Sequence, residues 1–108
     1  MTDIVVVTTA TASADAANVL AAIVVERRLA ACAQVIGPIR STYRWQGAVE
    51  HADEALLVCK TTAAGADALV AVIEGEHAYD VPEITVTPVV GGSTAYLAWV
   101  EDNVGGTA

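Results

Sequence analysis

Residues 77–83, with the sequence HAYDVPE, hold the densest group of side chains that could do chemistry. The stretch contains one of two histidines in the chain, a tyrosine and two carboxylates. His77 and Glu83 are candidate metal ligands, because imidazole and carboxylate together suit a borderline divalent ion such as Cu²⁺. Pro82 fixes its own φ and disfavours the helical region at the residue before it, which favours an extended turn.

The spacing of these groups does not by itself predict a closed metal site. His77 and Glu83 are six positions apart, unlike the i, i+4 pair of a helical zinc site. One chain adds at most Asp80 or Glu76, whereas a tight site needs three or four supported ligands. No nucleophile accompanies the histidine, so no catalytic residue is predicted. Alone, the stretch is more typical of a polar turn than of a site.

Four other residues lie on strand-like segments. Tyr43 and Trp45 share one face of an alternating run, where a core or subunit-contact patch is favoured over ligand stacking. Glu54 begins the apolar run EALLVCKT, and Lys60, the only lysine, is near its end. Lys60 is a functional group at a strand end or a solubilising edge lysine, and both interpretations stay open.

Charge and composition exclude several classes of protein. The net charge is −8, without the basic stripe of a nucleic-acid binder or the basic amphipathic helix of a membrane-surface protein. No apolar run approaches the ~20 residues of a membrane span. We see no signal peptide at Met1, and Cys32 and Cys59 form no disulfide framework, so a cytoplasmic location is expected.

Hydrophobic periodicity and capping residues predict seven elements. A strand over 3–9 precedes a helix capped by Ser13, and a strand follows that stops at Gly37-Pro38. Two further strands form a hairpin that turns at Gly47. The remaining elements are a helix with Gly75 at its C-terminal cap, a strand over 83–89 and a helix capped by Ser93.

This order predicts a single α+β domain over residues 1–108, with a frayed tail at 105–108. The architecture is a ferredoxin-like βαββαβ sandwich, with an antiparallel sheet and an extra C-terminal helix. Because this fold hosts many functions, it does not identify the activity.

The chain contains several short motifs in a fixed order, namely LAAC, then Y-x-W-x-G, then E-x-x-L-x-x-K-T, followed by HAYDVPEI and TPVVGGSTAYLAWV. Together these motifs resemble the CutA family of divalent-cation-tolerance proteins. The resemblance covers residues 4 to about 103. Ala78 and Ala48 depart from it, since the family has proline at the first position and often lysine at the second.

The resemblance implies a compact homotrimer with clefts between subunits. Those clefts are expected to bring the metal candidates His77 and Glu83 near ligand-binding residues, namely Tyr43, Trp45, Glu54, Lys60 and Tyr79. The expected function is non-enzymatic, with Cu²⁺, another divalent cation or a small ligand bound in the cleft and no obligatory cofactor. An unidentified protein partner is also possible. The alternative is a PII-like trimeric signalling module that senses a small anion or nucleotide.

Overall fold

The computed structural model of the protein describes residues 3–106. It contains seven elements in the predicted order, βαββαβ followed by a helix. Their bounds are β1 Ile4–Thr11, α1 Ala14–Glu26, β2 Cys32–Trp45, β3 Ala48–Thr62, α2 Ala66–Glu76, β4 Ile84–Pro88 and α3 Thr94–Asp102.

The four strands form one antiparallel sheet in the order β2-β3-β1-β4. Helices α1 and α2 are the two crossover connections and pack on one face of the sheet. This arrangement confirms the predicted ferredoxin-like fold.

The core follows from the alternation of side chains along the central strands. Val7 of β1 and the β3 residues Leu57 and Cys59 are fully buried against the apolar stripes of α1 and α2. Ile4 points to the opposite face, where it packs with Val100 of α3. Burial raises the pKa of the Cys59 thiol to about 12, so this cysteine is a protonated core residue at neutral pH.

Both predicted serine caps are present. Ser13 Oγ accepts a hydrogen bond from the amide of Ala16, and Ser93 Oγ accepts one from the amide of Tyr96. The prediction that Gly75 caps α2 was wrong, because the helix continues through Glu76 and His77 follows it. A glycine can end a helix with positive φ, but it can also continue one, and Gly75 does the latter.

The predicted stop at Gly37-Pro38 was also wrong, because β2 runs without a break from Cys32 to Trp45. A bulge absorbs the proline, and pairing resumes with Ile39 opposite Glu54 of β3. A Cβ atom on Gly37 would lie 3.0 Å from the Cβ of Ala55, so the bulge needs glycine at this close approach.

The far halves of β2 and β3 extend beyond the rest of the sheet. The pairing of β1 with β3 ends at Thr11 and Ala55, and residues 39–54 continue as a two-stranded ribbon, here called the hairpin arm. Gln46 and Gly47 turn the arm with φ of 49° and 82°, a tight two-residue turn. The arm helps to raise the radius of gyration to 14.4 Å, above the ~13 Å of a compact domain this size.

No helix in the described part of the chain is long and apolar enough to cross a membrane. The expected frayed tail starts at a residue that is held in place, since the Gly105 amide donates to the carbonyl of Arg28 over 2.8 Å. Residues 107–108 of that tail, like Met1 and Thr2, lie outside the described residues.

Candidate functional site

A groove of 690 Å³ lies between the hairpin arm and the loop that joins α2 to β4. The arm forms one wall, and loop residues 78–83 form the other. The lining residues are Ala10, Ser41, Thr42, Tyr43, Trp45, Glu54, Ala78, Tyr79, Asp80, Val81 and Glu83. Its volume is within the range of small-molecule sites in proteins.

His77 holds the loop against the end of β1. Its Nε2 is 2.8 Å from the carbonyl oxygen of Ala10, and its Nδ1 is 3.1 Å from the backbone nitrogen of Tyr79. Because the Tyr79 amide can only donate, Nδ1 must accept and Nε2 must carry the proton that Ala10 accepts. The imidazole is therefore a neutral tautomer that joins two backbone segments.

Tyr79 connects the same loop to the root of the arm. Its hydroxyl donates to Oε2 of Glu54 over 2.7 Å, and its ring lies 4.8 Å from that of His77, centroid to centroid. Burial and the hydrogen bond to Glu54 raise the pKa of the Tyr79 phenol to about 12. The phenol therefore stays protonated at neutral pH and holds the carboxylate of Glu54 in a fixed position.

Tyr43 and Trp45 lie on one face of the arm, as the alternation predicted, and this face lines the groove. Tyr43 pairs with Glu50 and Trp45 with Ala48, near the tip of the hairpin. Tyr43 is 44% exposed and Trp45 is 46% exposed. Neither ring belongs to the core of its own chain, which leaves a subunit contact or ligand stacking as its role.

The charged side chains that line the groove are all acidic. Glu54 comes from the arm, and Asp80 and Glu83 come from the loop. Within residues 3–106, no lysine, arginine or histidine side chain lines this groove. Charges of one sign in a concave site add up to a potential that attracts cations and repels anions.

The groove brings together most of the predicted ligand-binding residues but leaves out Lys60. Tyr43, Trp45, Glu54 and Tyr79 all line it, whereas Lys60 lies six residues further along β3, about 20 Å away. Lys60 pairs with Cys32 and Val6, and its Nζ donates to the side chain of Gln34. Lys60 could contact a groove of this kind only if that groove belonged to a neighbouring subunit.

The two metal candidates are placed differently from each other. Glu83 lines the groove, whereas His77 stands behind the loop and is not a lining residue. In the part of the chain that the structure describes, no three His, Cys, Asp or Glu side chains are grouped to hold a metal ion.

The sequence interpretation missed a second aromatic surface, on α3. Tyr96 and Trp99 stack with ring centroids 5.7 Å apart, and Trp99 is 44% exposed. Tyr96 Oη lies 3.3 Å from Cys32 Sγ; this contact and burial raise the pKa of Tyr96 to about 12. The i, i+3 spacing of two aromatic residues on a predicted helix was the available signal.

Comparisons with known proteins agree with the fold and the motif order. Residues 4–103 match the family described as CutA1 divalent ion tolerance protein. A divalent-cation tolerance protein CutA from Thermus thermophilus is 40% identical over 93 residues, which are 86% of this chain and 90% of that protein.

Solved structures match over nearly the whole chain. CutA1 from Oryza sativa superposes with a TM-score of 0.94 at 33% identity, covering 98% of this chain and 97% of that one. CutA from Archaeoglobus fulgidus, described as a periplasmic divalent cation tolerance protein, gives 0.91 at 26% identity, covering 94% and 99%. With the family match and the identity to the Thermus protein, the chain belongs to the CutA1 family of divalent ion tolerance proteins.

Proposed function

We propose that the protein is a homotrimeric, non-enzymatic divalent-cation-tolerance protein that binds a small cation in clefts between its subunits. The observation that carries the choice of a cation is the charge of the groove, whose charged lining residues are Glu54, Asp80 and Glu83. Cu²⁺ or another divalent ion is the ligand that membership of a divalent ion tolerance family suggests.

The exposed aromatic residues support assembly with further copies of the chain. Trp45 and Tyr43 on the arm and Trp99 on α3 are each about half exposed, and so is the aliphatic side chain of Ile36 on β2. Large aromatic side chains dominate the binding energy of protein interfaces, and exposed apolar side chains grouped on one surface mark interaction sites. A second copy is therefore proposed to pack against part of the arm and to leave the groove as a cleft between subunits, and a closed trimer uses the same contact three times.

His77 and Glu83 are the proposed metal ligands. His77 Nε2 already donates to the carbonyl of Ala10, which is the support that metal-binding histidines generally have. Binding through Nδ1 requires the imidazole to release the amide of Tyr79. Residues 3–106 of one chain offer too few grouped ligands for a tight site, so the proposed binding is weak or shared between subunits.

An anion-sensing, PII-like role is less well supported. Phosphate binding uses basic side chains or backbone amides, and the groove offers carboxylates. The tight turn at Gln46-Gly47 also leaves no long regulatory loop on the arm. A cytoplasmic location remains part of the proposal, although one structural neighbour is described as periplasmic.

Sedimentation equilibrium tests the assembly. The parent chain is expected to sediment as a trimer at micromolar concentration, and Trp45→Ala is expected to weaken the association at least tenfold by removing an aromatic anchor. Val49→Ala, on the opposite face of the arm, is the control and should assemble like the parent. A parent that remains a folded monomer would contradict the trimer.

Calorimetric titration with Cu²⁺ at neutral pH tests the metal. His77→Gln keeps an N–H donor for the carbonyl of Ala10 but removes the imidazole, and Glu83→Gln removes the carboxylate. Each is expected to weaken Cu²⁺ binding about tenfold. The control is His51→Ala, because His51 is the only other histidine and does not line the groove. Equal binding by all four proteins would remove both residues from the metal site.

A further inference from the structure

The composition of the groove walls points to a more specific ligand than a bare metal ion. We infer that the groove binds an organic ammonium cation, a protonated amine or a quaternary ammonium group with its carbon substituents. The inference rests on the proposed role of the groove as a cation site and names the chemical class of that cation.

Three aromatic rings face or border the groove. Tyr43 and Trp45 come from the arm and Tyr79 comes from the loop, and all three keep more than a third of their surface exposed. The faces of aromatic rings attract cations through their quadrupole, and the attraction is greatest for weakly hydrated ions such as alkylated ammonium groups. A small hydrated divalent ion gains little from such walls.

The carboxylates complete the match. An ammonium group needs a counter-charge but no fixed coordination number, and Glu54, Asp80 and Glu83 supply negative charge from both walls. A divalent metal instead needs several ligands converging on one point, and no such group occurs among residues 3–106. The groove therefore meets the requirements of an organic cation better than those of a metal.

The hydrogen bond between Tyr79 and Glu54 prepares the site for this ligand. It fixes one oxygen of the Glu54 carboxylate at 2.7 Å from the phenol and leaves the other oxygen for a cation. It also places an aromatic ring and a counter-charge side by side. A preorganised pair of this kind loses less conformational entropy when a ligand binds.

The size of the groove is also suitable. Its 690 Å³ exceeds what a single metal ion with its hydration shell requires and is within the range of small organic ligands. Ser41, on the same face of the arm as Tyr43, adds a hydroxyl group that can accept or donate a hydrogen bond to a ligand with polar substituents. The Thr42 hydroxyl is instead paired with Nδ1 of His51 over 2.9 Å.

The test follows ligand binding through the fluorescence emission of Trp45. The chain has two tryptophans, so Trp99→Phe leaves Trp45 as the sole indole. Tetramethylammonium chloride is titrated at constant ionic strength, with sodium chloride, tert-butanol and sodium phosphate as the small-cation, neutral and anionic comparisons. Calorimetry on the unaltered chain repeats the titration, so the result does not depend on the reporter substitution.

Tetramethylammonium is expected to give a saturable change in Trp45 emission, and the three comparison solutes are not. Glu54→Gln and Glu83→Gln in the reporter chain should each weaken binding at least fivefold, because each removes one counter-charge. Tyr43→Leu should weaken it by a similar factor, because one ring face is lost. Glu101→Gln on α3 removes a carboxylate outside the groove and should have no effect.

Three results would overturn the inference. They are no saturable response up to about 100 mM in either assay, equal binding of tert-butanol, or unchanged affinity in both glutamine variants. Failure of the inference is distinguishable from failure of the proposed function. If Cu²⁺ binding depends on His77 and tetramethylammonium gives no response, the metal proposal holds and the organic-cation inference fails. If tetramethylammonium binds and Cu²⁺ binding does not depend on His77, the organic-cation inference holds and the metal proposal fails.

Discussion

The two halves of β3 differ sharply in the burial of their side chains. From Ala55 to Thr62, every second side chain is buried beneath α1 and α2, including Leu57 and Cys59. From Ala48 to Glu54 the same strand belongs to the hairpin arm, where no side chain is fully buried. One continuous strand thus supplies both the core and an exposed wall of the groove.

The contrast separates stability from recognition. Residues in the body of the domain lose solvent contact when their own chain folds, so their burial contributes directly to the free energy of unfolding. The arm carries aromatic rings that remain about half exposed in the folded chain. These rings can become buried only when a ligand or another subunit binds. Substitutions in the two regions should therefore affect different measurements.

The largest effect is expected from truncating a core residue of β3. Leu57→Ala should lower the free energy of unfolding by about 2–5 kcal/mol, because it leaves a cavity beneath the helices. Val49→Ala, on the arm, removes methyl groups from a side chain that is 57% exposed and should change stability by less than about 0.5 kcal/mol. Urea unfolding at one fixed protein concentration measures the free energy of unfolding of both variants. Equal losses of stability would contradict the proposed difference between the two halves of β3.

A smaller effect should appear within the body, at two fully buried threonines. Thr9 Oγ1 has no hydrogen-bond partner among the described residues, whereas Thr61 Oγ1 donates to the carbonyl of Leu29 over 2.8 Å. Thr9→Val should stabilise the protein by roughly 1 kcal/mol, because it replaces an unsatisfied hydroxyl with a methyl group.

Thr61→Val is the matched control and should destabilise the protein by about 1 kcal/mol, because it removes the hydrogen bond to the partly buried carbonyl of Leu29. Thermal unfolding distinguishes the two variants by the sign of the change. Destabilisation by both would show that the hydroxyl of Thr9 has a partner after all.

The smallest effect concerns Tyr79, which joins the loop to the root of the arm. Its pKa is raised from 10 to about 12, so the folded state holds the phenolic proton more tightly than the unfolded state does. The resulting stability is complete below pH 10 and is lost as the pH rises through about 12.

Tyr79→Phe should therefore flatten the decline in melting temperature between pH 10 and pH 12, while part of the decline remains because Tyr96 and Cys59 also have raised pKa values. Tyr43→Phe should retain most of the decline, because burial and the hydrogen bond to Glu54, the larger causes of the raised Tyr79 pKa, remain in place. Identical profiles for all three proteins would show that the Tyr79–Glu54 hydrogen bond does not stabilise the folded chain.

Local patterns predicted the order of the elements well, because periodicity and caps act over a few residues. Ser13 and Ser93 each accept the amide hydrogen bond expected of an N-cap. The errors arose where local rules allow two outcomes. Gly37-Pro38 can end a strand or form a bulge, and only the pairing with β3 selects the bulge.

The groove was harder to predict because its two walls are distant in sequence. Alternation placed Tyr43 and Trp45 on one face of the arm, and the motif around residues 77–83 was evident. Their meeting depends on the length of the arm and on the bond from Tyr79 to Glu54, which are tertiary features. The position of Lys60 outside the groove likewise follows from strand register, which the sequence did not define.

The hairpin arm has one further consequence, which concerns its backbone. From Ala48 to Glu54, β3 pairs with β2 alone, so amide and carbonyl groups along its other edge have no neighbouring strand among residues 3–106. An open edge of this kind can accept a strand from another polypeptide, and it is also a route to aggregation. Arg40, Arg44, Glu50 and Asp53 place charges along the arm, which favours a partner of complementary charge over indiscriminate stacking. The same ribbon would then allow ordered strand addition while its charges discourage uncontrolled growth.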